Sequence, residues 1–285
     1  MATRDEDDVE HLLVARSHDK LYVFTDRGRV FALKVFELPD ASRTAKGTPI
    51  QNILEAMQSG ERVSAMIALS ETHAAAEHLV MATRQGFFKK TALSEYANVR
   101  RAGLISIVLR KGDQLAWVAP STDKDRILLA TRKGKAICFK ATDARPMGRQ
   151  TQGVIGIKIQ RGDEVIGMGI AHPRTEVLSV TENGFGKRTA EADFPTHGRG
   201  GQGVILASIG PKTGNVAAIG VVDEATQEVL LISTNGVVIR TPLDQIRVLG
   251  RATMGVKVMS TGDAKIASVA TFTPTGPSQP ALGLR

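Results

Sequence analysis

The 285-residue sequence has little cysteine, few aromatic residues and no long apolar run. A single cysteine, Cys138, excludes an internal disulfide framework and is typical of a reducing compartment. No apolar stretch reaches the roughly 18 residues of a membrane-spanning helix. The segment from Met1 to Glu10 is acidic, unlike a signal peptide. The sequence therefore predicts a cytoplasmic protein without a membrane partner.

Motifs of catalysis and of cofactor or metal binding are also scarce. The histidines form no metal-binding pattern, no Walker loop occurs, and the consecutive residues Ser17-His18-Asp19 do not supply triad geometry. Gly198 to Gly203 fits the pattern G-x-G-x-x-G, with Asp223 further on. However, the strand-like run Val204 to Ile209 follows where a dinucleotide site needs a helix. We expect no catalytic residue, no metal and no cofactor in this chain.

What the sequence does contain is a unit that occurs five times, marked by a glycine with an apolar residue seven positions earlier and a hydroxyl residue three positions earlier. These turn glycines are Gly28, Gly86, Gly134, Gly184 and Gly236. A short apolar run that ends at such a turn is typical of a strand buried on both faces. Each turn glycine therefore predicts a β-hairpin with a returning strand.

A second glycine follows in each unit, and a strand-like segment comes after it. These second glycines are Gly47, Gly103, Gly153, Gly203 and Gly255. Each unit ends on a closing strand: Arg62 to Leu69, Gln114 to Val118, Glu164 to Ile170, Val216 to Val222 and Lys265 to Ala270. Four strands per unit of about 50 residues are the signature of propeller blades. We therefore expect an all-β propeller with five four-stranded blades.

The two ends of the sequence differ from the repeated unit. Val9 to Ala15 resembles a closing strand without a hairpin, so it either completes another blade or is the remnant of a sixth one. We expect a disordered acidic N-terminus at residues 1–8, one domain at residues 9–272 and a disordered proline-containing tail at residues 273–285.

Basic residues exceed acidic ones, 37 Lys and Arg against 29 Asp and Glu, which suggests a polyanionic partner. They recur in register before the second glycine and in the returning strands. Because equivalent positions of a propeller lie on one circumference, we expect a basic belt around the disc that contacts the phosphates of a bent duplex. The predicted contacts are Arg43, Lys46, Lys89, Lys90, Arg100, Arg101, Lys140, Arg149, Lys187, Arg188, Arg199, Arg240 and Arg251.

A structural role is the alternative for these cations, in which each arginine bonds loop carbonyls within its own blade. Aromatic residues make up only 4% of the chain, and single-strand binding needs exposed aromatic side chains. Double-stranded DNA held by its backbone, with little sequence readout, is the better match. Cys138 occupies a position that is mostly basic in the other units, so we expect it to face solvent without a function.

Several segments resemble the C-terminal domain of DNA gyrase A, in family order from about Asp8 to Pro274. They include Asp26 to Val30, Gly47 to Ile50, Lys89 to Thr91, Asn183 to Thr189 and Gly250-Arg251. The resemblance implies a propeller-like disc, or pinwheel, with a strand exchanged between blades. It also implies wrapping of duplex DNA around the rim at the nucleoid, which lets gyrase introduce negative supercoils while ATP is hydrolysed elsewhere in the enzyme. The implied partners are DNA, the catalytic half of gyrase A and the gyrase B protein.

The hallmark box of that family, Q-R-R-G-G-K-G, has no full copy in this sequence. The nearest match is a degenerate box of seven residues, His197, Gly198, Arg199, Gly200, Gly201, Gln202 and Gly203. It agrees with the family pattern at four places, Arg199, Gly200, Gly201 and Gly203. The closing strand Val9 to Ala15 stands where a box-bearing first blade should end, so the simplest interpretation is that this blade is missing. Two alternatives stay open, the matching domain of topoisomerase IV with degenerate boxes and a propeller that binds protein partners.

Overall fold

A computed structural model describes residues 13, 15–41, 47–69, 75–273 and 276–277. Within these residues the chain forms five four-stranded antiparallel sheets arranged around a central cavity. This confirms the predicted all-β propeller with five blades. Of the segment Val9 to Ala15 only Leu13 and Ala15 are described, and neither belongs to a strand. Its other residues, and residues 1–8, lie outside the described part of the chain.

Each unit consists of a hairpin, a short connecting element and a closing strand; the connecting element is a helical turn in the first unit and a two-residue strand in the other four, and a further two-residue strand follows the fifth unit. In chain order the elements are β1 (Lys20–Thr25), β2 (Arg29–Lys34), α1 (Ile50–Ile53), β3 (Val63–Leu69), β4 (His78–Thr83), β5 (Phe87–Ala92), β6 (Leu104–Ile105), β7 (Leu115–Ser121), β8 (Arg126–Thr131), β9 (Lys135–Lys140), β10 (Val154–Ile155), β11 (Val165–Ala171), β12 (Glu176–Thr181), β13 (Phe185–Ala190), β14 (Val204–Ile205), β15 (Val216–Val222), β16 (Glu228–Ser233), β17 (Val238–Pro242), β18 (Val256–Lys257), β19 (Ile266–Thr273) and β20 (Gly276–Pro277). A 3-10 turn follows each returning strand, at Val35–Glu37, Leu93–Tyr96, Ala141–Asp143, Glu191–Asp193 and Leu243–Gln245.

Each hairpin depends on its turn glycine and on the hydroxyl residue before it. The five turn glycines have φ between 75° and 84°, a region that other residues enter only at a cost. The hydroxyl three residues earlier accepts a hydrogen bond from the amide just beyond the glycine, for example Phe87 N to Thr83 Oγ1 at 3.1 Å. The same bond forms at Thr25, Thr131, Thr181 and Ser233. The repeated spacing in the sequence is therefore the spacing of one turn geometry.

The fourth strand of each of the first four sheets is supplied by the next unit along the chain. β6 pairs with β2, β10 with β5, β14 with β9, and β18 with β13. This confirms the strand exchange that the family resemblance implies. The closing strands β3, β7, β11 and β15 form the opposite edge of these sheets, beside the cavity. The exchanged strands therefore lie at the outer edge of the disc.

The second glycine allows the exchanged strand to approach the preceding blade. A Cβ atom on Gly153 would lie 2.5 Å from the carbonyl oxygen of Phe88, and one on Gly203 would lie 2.3 Å from that of Ala136. Both glycines also have φ above 70°. Only glycine combines this backbone conformation with the absence of a side chain at the contact.

In the first unit the prediction of a strand after Gly47 is wrong, because the helical turn α1 lies there. Pro49 has no N–H to donate to a ladder, and the apolar residues that follow recur at helical rather than alternating spacing. The apolar residues of this segment are Ile50, Ile53, Leu54 and Met57. They cover the face of the first blade formed by Leu21, Val23, Phe31 and Leu33. The first blade thus buries this face against its own unit.

The fifth sheet has a different fourth strand. Its order is β17-β16-β19-β20, so β20 pairs beside β19, and no other strand within the described residues pairs with the free side of β17. Gly276–Pro277 belongs to the tail that was predicted to be disordered, whereas residues 274–275 and 278–285 lie outside the described part. The outer edge of the fifth blade is therefore uncovered in the described structure.

Apolar clusters join consecutive blades. Phe88 of the second blade meets Phe139 of the third edge-to-face, with ring centroids 5.0 Å apart, and Leu178 of the fourth blade packs with Val229 of the fifth. Comparable clusters join the first blade to the second and the third to the fourth. Among the described residues no such cluster joins the fifth blade to the first.

Candidate nucleic-acid interface

The outer rim is formed by four connecting segments, which we call straps, at residues 97–103, 144–153, 194–203 and 246–255. Each strap leads from a 3-10 turn into an exchanged strand. On its way it runs along the returning strand of the preceding blade. Three straps make the same main-chain bond of 2.8 Å, Met147 N to Lys90 O, His197 N to Cys138 O and Leu249 N to Arg188 O. The straps are thus fixed to the outside of the sheets.

The segment that follows each of the first three exchanged strands is bonded to the next strap. The residue that follows an exchanged strand by three positions donates its amide to the next strap. These bonds are Val108 N to Thr151 O at 3.0 Å, Lys158 N to Gly201 O at 2.8 Å and Ser208 N to Thr253 O at 3.1 Å. The four straps, together with the exchanged strands that follow the first three, therefore form a continuous main-chain band around the rim.

Three straps present an arginine at the same position, Arg149, Arg199 and Arg251. Arg199 is exposed, and its Nε donates to the carbonyl oxygen of Asp143 at 3.0 Å. Its Nη1 lies 3.3 Å from the carbonyl oxygen of Ile155. Arg251 repeats the second contact, because its Nη1 donates to Ile205 O at 3.0 Å.

These contacts bear on the alternative role of the arginines, in which each arginine would bond loop carbonyls within its own blade. Arg199 and Arg251 do bond carbonyls, but those carbonyls belong to the preceding unit of the sequence rather than to their own. Arg149 instead has its Nε 3.6 Å from a carboxylate oxygen of Glu95. A guanidinium carries five N–H donors, so these bonds orient the arginines without exhausting their capacity for a phosphate.

Three of the predicted contacts are wrong, because Lys89, Lys90 and Lys187 are buried and cannot reach a phosphate. Lys90 Nζ pairs with Asp123 Oδ1 at 2.8 Å. Lys89 and Lys187 donate to oxygens of the straps. The physical reason is that the returning strands β5 and β13 are covered on both faces and along their outer edge. The side chains of these three lysines are therefore enclosed by the protein.

Of the other predicted cations within the described residues, four are exposed to solvent and one is held by internal hydrogen bonds. Arg100, Arg101, Lys140 and Arg240 are exposed. Arg101 lies 3.2 Å from Glu37, and Arg240 pairs with Glu228 on the uncovered fifth blade.

Arg188 is committed to internal contacts. Its side chain is half-buried, donating to Ile246 O at 2.6 Å and to Glu176 at 2.7 Å. Two further predicted contacts, Arg43 and Lys46, lie outside the described residues.

Two exposed arginines of the straps were missed by the sequence analysis. Arg145 and Arg247 stand four residues before Arg149 and Arg251, respectively. The same register that identified the later arginine of each pair could have found the earlier one.

The degenerate box forms the strap of the fourth unit. Gly200 and Gly203 have φ of 82° and 72°, and Gly200 N donates to Gly156 O at 2.6 Å. His197 and Gln202 are exposed. The strand β14 follows the glycines, so the helix that a dinucleotide site requires is absent at this position. The glycines therefore shape a strap that carries Arg199.

Cys138 is buried, so the prediction that it faces solvent is wrong. Arg126 covers it, with Nη2 at 3.2 Å from Sγ. Burial raises the pKa of the Cys138 thiol, although Arg126 opposes the shift. A protonated, buried thiol is unreactive.

One group of possible metal ligands occurs within the described residues, formed by Glu77, His78 and Asp123. Asp123 is already paired with the Lys90 ammonium, and His78 Nδ1 lies 3.8 Å from the same carboxylate oxygen. The hydrogen bond from Lys90 lowers the pKa of Asp123. The positive charge that a metal ion would bring is therefore supplied by a lysine.

The central cavity, of about 660 Å³, has charged groups that neutralise one another. Arg132 lies 2.7 Å from Glu182, and Lys265 lies 3.2 Å from the same carboxylate. Burial alone would raise the pKa of Glu182, but hydrogen bonds from Arg132, the Asn215 amide and Lys265 lower it to about 2. Two arginines that line the cavity, Arg84 and Arg132, are thus paired with carboxylates, and the straps offer the better surface for a polyanion.

No helix within the described ranges is long and apolar enough to cross a membrane.

Comparison with known proteins gives one match per repeated unit. The family model described as DNA gyrase C-terminal domain, beta-propeller, matches residues 19–70, 77–122, 125–172, 175–223 and 227–273. DNA gyrase A of Deinococcus deserti is 40% identical over 262 residues, which cover 90% of this chain and 32% of the relative. DNA gyrase A of Salmonella typhimurium is 38% identical over 260 residues, which cover 91% and 29%. The chain spans about a third of the length of these relatives.

Two solved structures share the fold. A crystal structure of the C-terminal domain of DNA topoisomerase IV has a TM-score of 0.83 at 22% identity, covering 96% of this chain and 85% of the other. A structure of the DNA gyrase A C-terminal domain has a TM-score of 0.78 at 23% identity, covering 95% and 89%. At these identities the likeness concerns the fold alone.

Proposed function

The chain belongs to the family of the DNA gyrase C-terminal domain, beta-propeller, and on that premise we propose that it binds duplex DNA along its straps and bends the duplex around the rim. The observation that carries this proposal is the recurrence of Arg149, Arg199 and Arg251 at one position of consecutive straps. Because the straps are bonded into one band, these guanidiniums are arranged along a curve. A rigid curved row of cations suits a bent polyanion.

Recognition in this proposal is directed at the DNA backbone. The rim cations are mostly arginines, which bind phosphate oxygens in a bidentate manner. Aromatic side chains are rare, and the two tyrosines and the tryptophan are buried, so none of these three can stack on an unpaired base. The duplex would therefore be held with little regard to sequence.

We further propose that the chain acts in the cytoplasm, together with the catalytic part of gyrase A and with the gyrase B protein. Those parts would supply strand passage and ATP hydrolysis, and this chain would supply the path of the DNA. The bend costs several kcal/mol even for about 40–90°, so many phosphate contacts must act together to offset it.

The test is a titration of the chain with a short duplex at several salt concentrations. With about 6 to 8 phosphate contacts, the logarithm of the binding constant should fall against the logarithm of salt with a slope of about −5 to −7. Replacing Arg149, Arg199 and Arg251 together with Ala should make the slope shallower by about 3. A slope near zero in the parent chain would exclude backbone binding.

A matched control removes the same charge elsewhere. Arg27, Lys133 and Arg161 are exposed cations at the turns, where Arg27 bonds Ser59 O and Lys133 bonds Arg161 O, away from the straps. Replacing these three with Ala should change the slope by less than about 1. Equal changes in the two triple variants would mean that net charge, rather than the strap arginines, sets the affinity. Ligation of nicked circles on the parent chain tests bending, which should shift the linking number.

A further inference from the structure

Two buried lysines stand at the same position of alternate blades. Lys89 and Lys187 are the third residues of β5 and β13, and both side chains are almost completely buried. The other blades have apolar residues there: Phe31, Ile137 and Ile239. A buried lysine is costly unless its charge is well solvated by the protein. The occurrence of a buried lysine at two equivalent positions points to a specific contact.

That contact is the main chain of the strap arginines. Lys89 Nζ donates to the carbonyl oxygen of Arg149 at 2.5 Å, to Ser106 O at 2.8 Å and to Thr151 O at 3.3 Å. All three donors of an ammonium are thereby used. The lysine thus ties the carbonyl of a rim arginine to Ser106, the residue that follows the exchanged strand β6.

Lys187 makes the equivalent bond to an arginine carbonyl two blades further on, and its other two bonds stay within the strap. Its Nζ donates to Arg251 O at 2.5 Å, to Gly250 O at 2.8 Å and to Thr253 Oγ1 at 3.3 Å. The strap at residues 194–203, which carries Arg199, is held differently, because the apolar residue Ile137 packs beneath Gly201. Two of the three strap arginines therefore have a buried ammonium directly behind their backbone.

We propose that Lys89 and Lys187 are positioning residues for DNA binding, which hold the straps so that Arg149 and Arg251 meet phosphates without further ordering. This assignment rests on the proposed function. The lysines cannot touch DNA, so they act through the arginine backbone alone. Without the ammonium, strap carbonyls lose their partners and the strap gains freedom that DNA binding must then remove.

A double-mutant cycle separates positioning from general support of the fold. Lys89→Met should weaken duplex binding about 5- to 10-fold, a coupling typical of residues in contact. In an Arg149→Ala background the same change should cost less than about 2-fold, because the arginine it positions is gone. In an Arg251→Ala background, two blades away, it should cost the full amount. Lys187→Met should give the reverse pattern.

The outcomes of the cycle are distinct. If Lys89→Met costs the same in both arginine backgrounds, or costs nothing, the assignment is overturned and the lysine only supports the fold. If the parent chain binds no duplex, the proposed function is overturned and the assignment falls with it. Far-ultraviolet circular dichroism and a thermal melt of each variant establish that the blades are formed.

A second measurement needs no lysine variant. Burial, and then the neighbouring Arg149, lowers the pKa of Lys89 to about 8; burial and Arg251 lower the pKa of Lys187 to about 8 as well. The other charged groups that face them are Glu95 and Asp193. Tyr96, bonded to Ser106, has a pKa that burial raises, so it stays neutral. The reference pKa values of lysine and arginine side chains, about 10.4 and above about 12, lie above those of Lys89 and Lys187.

Each lysine therefore loses one donor as the pH rises through about 8, and the strap loosens. Between pH 7 and 9.5 the affinity of the parent chain should fall about 3- to 10-fold. The fall should shrink to less than about 2-fold in an Arg149→Ala, Arg251→Ala chain, which lacks the positioned groups. An affinity that stays flat in the parent chain, or falls equally in both chains, would contradict the assignment.

Discussion

The returning strands β13 and β17 occupy the same place in neighbouring blades, yet one is covered and the other is not. β13 pairs with the exchanged strand β18 and lies beneath a strap. β17 has no strand on its free side within the described residues, and Val238 is 55% exposed. β17 is the more apolar of the two strands, so its own sequence does not explain the difference. Burial at the rim is determined by the following unit.

The largest expected effect on stability comes from comparing a covered returning strand, β5, with the uncovered strand β17 at the position two residues after the turn glycine. Phe88 is fully buried against Phe139, whereas Val238 is exposed. We expect Phe88→Ala to lower the free energy of unfolding by about 3–5 kcal/mol. Val238→Ala should lower it by less than about 0.5 kcal/mol. Urea denaturation measures both, and a large loss for Val238→Ala would show that a partner covers β17 in solution.

The turn glycines give a second matched pair with an intermediate effect. Gly184 and Gly236 have nearly equal φ, 76° and 79°. A Cβ atom on Gly184 would lie 2.2 Å from Met259 O, beside the exchanged strand, whereas one on Gly236 would meet nothing within 4 Å.

Gly236→Ala should therefore cost only the left-handed backbone, about 1–2 kcal/mol. Gly184→Ala should cost that amount plus displacement of the exchanged strand, above about 3 kcal/mol in total. The urea midpoints of the two variants check this. Equal midpoints would mean that the exchanged strand moves aside freely.

The smallest effect concerns DNA rather than stability. Arg199 lies on a strap, whereas Arg240 lies on the uncovered edge and is paired with Glu228. Arg199→Ala should weaken duplex binding about 5- to 10-fold, and Arg240→Ala less than about 2-fold. Fluorescence anisotropy with a labelled duplex at fixed salt measures both. A larger loss for Arg240→Ala would place the DNA path on the fifth blade instead of the straps.

Much of the architecture could be predicted from the sequence, because the turn glycines and their hydroxyl residues impose one hairpin geometry five times. The segment after Gly47 in the first unit was predicted wrongly, although Pro49 and the spacing of Ile50, Ile53 and Leu54 carry a visible helical signal. The uncovered edge of β17 could not be predicted, because exposure there depends on a strand that another unit would have to supply.

The basic belt was predicted in outline but not residue by residue. The register of the repeat predicts which strand carries a cation, but it does not predict whether the side chain is exposed or buried. Lys89 could still have been recognised as buried, since it stands in a returning strand, β5, and the strand exchange that the resemblance implies places a further strand beside it. A lysine in such a strand needs an internal acceptor.

The strand exchange has a consequence for the order in which the protein is made. Arg29 of β2 pairs with Ile105, so the first blade cannot close its outer edge until most of the second unit has been synthesised. The same delay applies to each later blade in turn. At every stage of translation the newest blade carries an unpaired edge, the kind of surface that adheres to other unpaired strands. Each of the last four units thus covers the exposed edge of the blade made before it.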